Sequence, residues 1–100
     1  MNLNIVNIKS GKPFGLYIGR ANVYYHQPES LFHNPFVIGK DGTRAEVIEK
    51  FREYALRTPD ILSKLYLIDN QVLGCWCNWP DEDCHGRVLF ELRQEQLKNL

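Results

Sequence analysis

Three cysteines and a histidine, Cys75, Cys77, Cys84 and His85, fall within eleven consecutive positions of a 100-residue chain. Three chemistries suit these residue types. Thiolates and an imidazole are the ligands that zinc and other soft metals select, and a closed site takes four of them in a tetrahedron. The spacing is C-x-C, six residues, then C-H, rather than paired C-x-x-C knuckles. A fully extended strand would hold the Cα atoms of Cys75 and Cys77 ~7 Å apart, and the adjacent Cys84 and His85 would tend to diverge. A metal site on all four therefore requires irregular backbone at both pairs.

The second chemistry is nucleophilic or redox catalysis by Cys84, with His85 as its acid or base. A thiol at a helix N-terminus feels the helix dipole and unpaired backbone N–H groups, which favour the thiolate. The same N–H groups would hold a phosphate or carboxylate. Asp81, Glu82 and Asp83 work against the thiolate. In the third reading, Cys75 and Cys77 are small buried hydrophobes and Cys84 and His85 only cap and pack.

Two arginines are further candidates. Arg20 directly follows an apolar strand pattern and could enter the same cleft as an anion clamp, or simply pair with a carboxylate on the surface. Arg44 falls in the first turn of a helix, where a cation is mildly unfavourable, so its position suggests a task other than helix stability. His26 and His33 read as ordinary loop histidines.

The elements that must position these groups follow from periodicity. Leu3 to Lys9 alternates and is rich in Ile and Val, so a strand is expected, then a turn at Ser10-Gly11-Lys12-Pro13 and a second strand over Phe14 to Gly19. Gly19 marks a strand end or a close backbone approach. Arg20 to Lys40 has no period; its aromatics, including Tyr24, Tyr25, Phe32 and Phe36, are expected to pack it against the body. Thr43-Arg44-Ala45-Glu46 fits a capping box, and Val47, Ile48, Phe51, Tyr54 and Ala55 follow at helical spacing. Thr58 and Pro59 open a second helix with a stripe of Ile61, Leu62, Leu65 and Ile68. Val72 to Cys77 reads as a short buried strand and Asn78 to Asp83 as a polar loop. The last helix is expected over His85 to Lys98, although Val88, Phe90 and Leu92 would also suit a strand. The order β-β-loop-α-α-β-α predicts one α/β domain, with a small mixed or parallel sheet flanked by about three helices. The cysteines would then lie beyond the carboxyl end of a strand, where open α/β sheets collect ligands.

Composition narrows the function classes. Twelve basic and twelve acidic residues cancel, which argues against bulk nucleic-acid binding, since that mode needs surplus cations along the phosphates. No apolar run approaches the ~20 residues of a membrane span. Residues 1–12 lack the apolar core of a signal peptide, so a cytoplasmic protein is expected. In a reducing compartment, three clustered cysteines read as metal-binding or reactive more readily than as disulfides.

YIGR at 17–20, HNPF at 33–36, IGKDGTRAEVIEKFREY at 38–54 and LGCWC with CHG between 73 and 86 together resemble the domain of unknown function 4326 family, small proteins of bacteria and phages. The resemblance covers roughly residues 14–92. It implies that Arg20, Asn34, Arg44, Cys75, Cys77, Cys84 and His85 belong to one shared pattern, so that side chains from separate segments meet in one cleft. Two features depart from the family: the link from C-W-C to C-H is longer, and Arg87 stands where an acidic residue is common. The resulting expectation is a pocket in which Arg20 and Arg44 hold an anionic group, such as a nucleotide phosphate, and Asn34 orients ligand or loop. Cys84 and His85 would do the chemistry there, or join Cys75 and Cys77 on a metal such as zinc. The competing expectation is a non-enzymatic interaction module with a structural Cys/His cluster.

Overall fold

The computed structural model describes residues 3–100. In chain order the elements are β1 (Ile5–Asn7), β2 (Leu16–Tyr17), α1 (Arg44–Leu56), α2 (Pro59–Lys64), β3 (Leu73–Cys75) and α3 (His85–Lys98), with single 3-10 turns at Ile8–Ser10 and Leu65–Ile68. The sheet order is β1-β3-β2. Both outer strands run parallel to β3, with Ile5 and Leu16 each opposite Leu73. The α/β expectation therefore holds, with the sheet wholly parallel.

All three strands are shorter than their sequence patterns. β1 stops at Asn7 because its side chain accepts from the Lys9 N–H at 2.8 Å and starts a 3-10 turn. Gly11 then closes that turn in the left-handed region at φ 75°, where glycine carries no Cβ penalty. Residues 8–15 carry the chain from one sheet edge to the other and cross one face of β3 at Gly74. A Cβ there would lie 2.7 Å from the Phe14 ring and 2.9 Å from Ile8 Cδ1, so only glycine lets the crossover lie flat on the strand.

Leu73 and Cys75 point to the opposite face, as alternation requires, and enter the core with Ile48, Phe51, Val88 and Leu89. α1 packs against α3 and α2. It begins as its sequence predicts: Thr43 Oγ1 accepts from the Glu46 N–H, and Glu46 Oε1 accepts from the Thr43 N–H. At α2 the cap differs. Thr58 occupies the N-cap but its hydroxyl donates to Tyr54 O at 2.6 Å, which spends it on the end of α1. The helix tightens to 3-10 at Leu65, and Ile61, Leu65 and Ile68 still reach the core. α3 is helical throughout, so the strand alternative for Val88, Phe90 and Leu92 is excluded; Val88, Leu89 and Leu92 are its buried stripe.

The 20–40 segment divides. Phe32 is 2% exposed and belongs to the core, but Val23 and Tyr24 are 83% and 89% exposed. They sit on a tight turn closed by an Asn22–Gln27 bridge, with His26 left-handed at φ 53°. That geometry projects them outward rather than against the body.

A candidate metal centre beside a cleft

β3 ends at Cys75, and the chain bends through Trp76 and Cys77 instead of continuing extended. Three bonds hold this bend. Trp76 Nε1 donates to Tyr17 Oη at 2.8 Å, Asn7 Nδ2 donates to Trp76 O at 3.1 Å, and Asn7 Nδ2 also donates to Asn78 Oδ1 at 2.8 Å. Tyr17 in turn donates to Arg20 O. This hydroxyl explains Gly19, because a Cβ at that position would lie 2.5 Å from it. The bend brings Cys77 Sγ to 3.9 Å from Cys75 Sγ. Two thiolates on one tetrahedral zinc at Zn–S ~2.3 Å stand ~3.8 Å apart.

The second pair converges by a similar break in conformation. Cys84 is extended, at φ −138° and ψ 144°, and is the N-cap of α3; His85 is the first helical residue. Gly86 lets this helix start sit on the sheet, since a Cβ would come 2.9 Å from Ile5 Cδ1. The sulfurs of Cys75 and Cys84 and a ring nitrogen of His85 all lie within 4.8 Å of one another. Irregular backbone thus appears at both places where a metal site requires it.

His85 Nε2 lies 2.9 Å from Ile18 O and 2.9 Å from Phe32 O. Carbonyls only accept, so Nε2 carries the hydrogen and Nδ1 keeps the lone pair of the neutral ring. Burial pushes the His85 pKa down, which favours the same neutral form. Its ring meets Phe51 edge-on with centroids 4.9 Å apart. A backbone acceptor on one ring nitrogen is the usual way a metal-ligating histidine is oriented.

The thiols differ. Cys77 is pushed well below the ordinary thiol value, first by accepting from Cys75, then by Cys84, with the Arg44 guanidinium adding to the shift. Cys75 is pushed up chiefly by its contact with Cys77, and Cys84 chiefly by its contact with Cys75. Of the three sulfurs, Cys77 is the one that a cation touches, the Arg44 guanidinium at 3.4 Å. Cys84, the candidate nucleophile of the sequence, is fully buried at 0% exposure at the N-cap of α3. Cys75 and Cys77 both line the cleft, and Cys77 is the more exposed of the two.

That cleft, about 470 Å³, has Arg20, Asn34, Arg44, Cys75, Cys77 and His85 among its lining residues. The three expected ligand-binding residues and three of the four expected metal ligands therefore meet. Their present duties differ. Asn34 is a loop staple: Nδ2 donates to Val47 O at 3.1 Å and Oδ1 accepts from the Phe36 N–H at 3.0 Å. Arg20 Nη2 donates to Asn34 O at 2.7 Å and Phe36 O at 2.8 Å. Among the described residues no carboxylate pairs with Arg20, so its charge is uncompensated. Arg44 is committed elsewhere: Nη1 donates to Cys77 Sγ at 3.4 Å and Asp83 O at 3.0 Å, and Nη2 pairs with Glu82 at 3.3 Å. The unfavourable helix position of Arg44 is thus offset across the site rather than within the helix. Asp83 does not act on the thiols as a free anion, because Arg87 grips both its oxygens at 2.8 Å. Sequence reasoning assigned no role to Asn7 or Tyr17; each ends an observed strand but lies inside its longer sequence pattern, which does not single it out.

The fold and site define a small α/β domain whose central parallel strand runs into a Cys/His cluster able to bind a metal. The chain belongs to the family described as Domain of unknown function (DUF4326), whose pattern matches residues 4–95. It is similar to Uncharacterized protein R718 of Acanthamoeba polyphaga mimivirus, 33% identical over 85 residues, which covers 77% of this chain and 65% of that relative's length. No solved structure matches the chain. Among the described residues no helix is long and apolar enough to cross a membrane.

Proposed function

We propose that this domain binds zinc through Cys75, Cys84 and His85, with Cys77 as fourth ligand, and that the adjoining cleft takes a small anionic ligand drawn in by Arg20. The observation that carries the zinc reading is the clustering of the Cys75 and Cys84 sulfurs and a His85 ring nitrogen within 4.8 Å of one another, and the carbonyls on His85 Nε2 leave its other ring nitrogen with a lone pair. The 3.9 Å spacing of Cys75 and Cys77 supports the fourth ligand. Three thiolates and a neutral imidazole on a divalent ion sum to one negative charge, and Arg44, which also pairs with Glu82, places a guanidinium against the Cys77 sulfur. Arg20, uncompensated at the cleft, supports the anionic ligand.

Untagged protein purified under reducing conditions should retain one zinc per chain by elemental analysis. Its thiols should react with a thiol reagent only after chelation. A second reading is favoured by the Arg44–Cys77 bond alone: a metal-free thiolate at Cys77 acting as nucleophile. Protein without metal and with one fast-reacting thiol would establish that reading and overturn the first.

A further inference from the structure

Cys77 differs from the other three candidate ligands in exposure and in having a cation as a partner. Cys75, Cys84 and His85 are 4%, 0% and 7% exposed, and each is set by a strand or a helix start. Cys77 lies beyond the end of β3, half-buried, on the wall of the cleft. It also has a second partner. The Arg44 guanidinium donates to its sulfur at 3.4 Å and is itself anchored by Glu82 and by Asp83 O. A thiolate leaving a metal here would not enter the core as a bare charge, which would be costly. It would stay paired with a cation already in place. A zinc site with three buried protein ligands and one exchangeable position is the arrangement that zinc uses for reactive work.

Resting on the zinc reading, we propose that Cys77 is a displaceable fourth ligand, exchanged for the carboxylate or phosphate oxygen of a small ligand entering past Arg20. In the resting state the Cys77 thiolate caps the ion. On exchange the Zn–S bond to Cys77 breaks, a Zn–O bond to the incoming oxyanion forms, and the thiolate remains unprotonated against Arg44. No electron or proton moves. The same cleft is lined by the entering cation, Arg20, and by the receiving cation, Arg44, which already touches the Cys77 sulfur.

The test uses the full chain with cobalt(II) in place of zinc, because sulfur-to-cobalt charge-transfer absorption counts bound thiolates. Saturating acetate or inorganic phosphate should lower that absorption by roughly one third, as three thiolates become two. Cys77→Ser should keep one cobalt per chain, start at the lowered absorption, and bind either anion roughly tenfold more tightly, since a competing thiolate no longer holds the position. Arg20→Gln should weaken anion binding while leaving the resting spectrum unchanged. Arg44→Gln should leave the metal bound and blunt the anion response. A wild-type spectrum with three sulfurs that neither anion alters would overturn the exchange and leave the zinc reading intact. So would a folded Cys77→Ser chain that loses its cobalt. Failure of the wild-type chain to bind cobalt or zinc at all would instead remove the zinc reading itself.

Discussion

Gly74→Ala places the smallest side chain on the central strand and tests whether crossover packing sets the position of Cys75. The new Cβ would meet Phe14 Cδ2 at 2.7 Å, Phe14 Cγ at 2.8 Å and Ile8 Cδ1 at 2.9 Å. The isoleucine methyl can rotate away, but two atoms of a planar ring cannot both give, so residues 8–15 must lift from the sheet. Overpacking of this kind costs about 1–3 kcal/mol. Removing a glycine from a strand returns about 0.5–1 kcal/mol. The clash wins, with a net loss of ~1–2 kcal/mol. At about 4–8 °C per kcal/mol for a domain of this size, the melting midpoint should fall by ~5–15 °C. Calorimetry or far-UV melting reads the shift. The double variant Phe14→Ala, Gly74→Ala should lose less than the two single losses combined, with a coupling of ~0.5–3 kcal/mol. A Gly74→Ala protein melting at or above wild type, or strict additivity with Phe14→Ala, would refute the account of Gly74.

His85→Phe leaves Ile18 O and Phe32 O without their donor. At about 1–3 kcal/mol for each buried acceptor left unpaired, urea denaturation should register a loss of ~2–6 kcal/mol, and elemental analysis a loss of metal. Phe51→Ala empties a position that is 0% exposed and packs on His85; a loss of about 3–5 kcal/mol is expected, read as a lower denaturant midpoint. The Arg93 fork holds the Asp69 carboxyl below its ordinary value of 3.8. The folded state then binds that proton less readily than the unfolded one, so the stabilisation is fully present above the ordinary value and is lost as pH falls below it. The stability difference between wild type and Arg93→Gln should therefore be positive near neutrality and should shrink through the acid range; a constant difference would exclude the linkage.

Long periodic elements were legible in the sequence, and local turns were not. α3 falls on the same residues that helical spacing marks, and α1 starts at its capping box, because both signals lie within a few neighbouring residues. The strands were overextended because alternation continues past the point where Asn7 diverts its side chain to Lys9 and where Cys77 turns back on Cys75. Nothing in a C-x-C spacing reveals that bend, since its supports come from Asn7 and Tyr17, far away in the chain. Arg20 was placed toward the cleft by its position after a strand pattern, the resemblance added Asn34 and Arg44, and all three line the cleft beside Cys75 and Cys77. What each does there depended on distances: Arg44 finds Glu82 and Cys77, and Arg20 finds the carbonyls of Asn34 and Phe36.

The location of the cluster follows from the parallel sheet. Three parallel strands finish at one end of the domain, and each leaves backbone groups there that no neighbouring strand can pair. In this chain those groups are taken up by the site. His85 Nε2 donates to Ile18 O just past β2, Tyr17 Oη donates to Arg20 O, and Asn7 Nδ2 at the end of β1 donates to Trp76 O just past β3. Buried backbone carbonyls need a partner, so the bond from His85 to the buried Ile18 O would be needed even in a bare scaffold. The consequence here is chemical. The carbonyl that needs a hydrogen from His85 determines which ring nitrogen is left with a lone pair, and the bend that lets Asn7 reach Trp76 O is the bend that returns Cys77 to Cys75. The hydrogen bonds that finish the sheet are thereby the ones that orient the sulfur and imidazole groups toward one another.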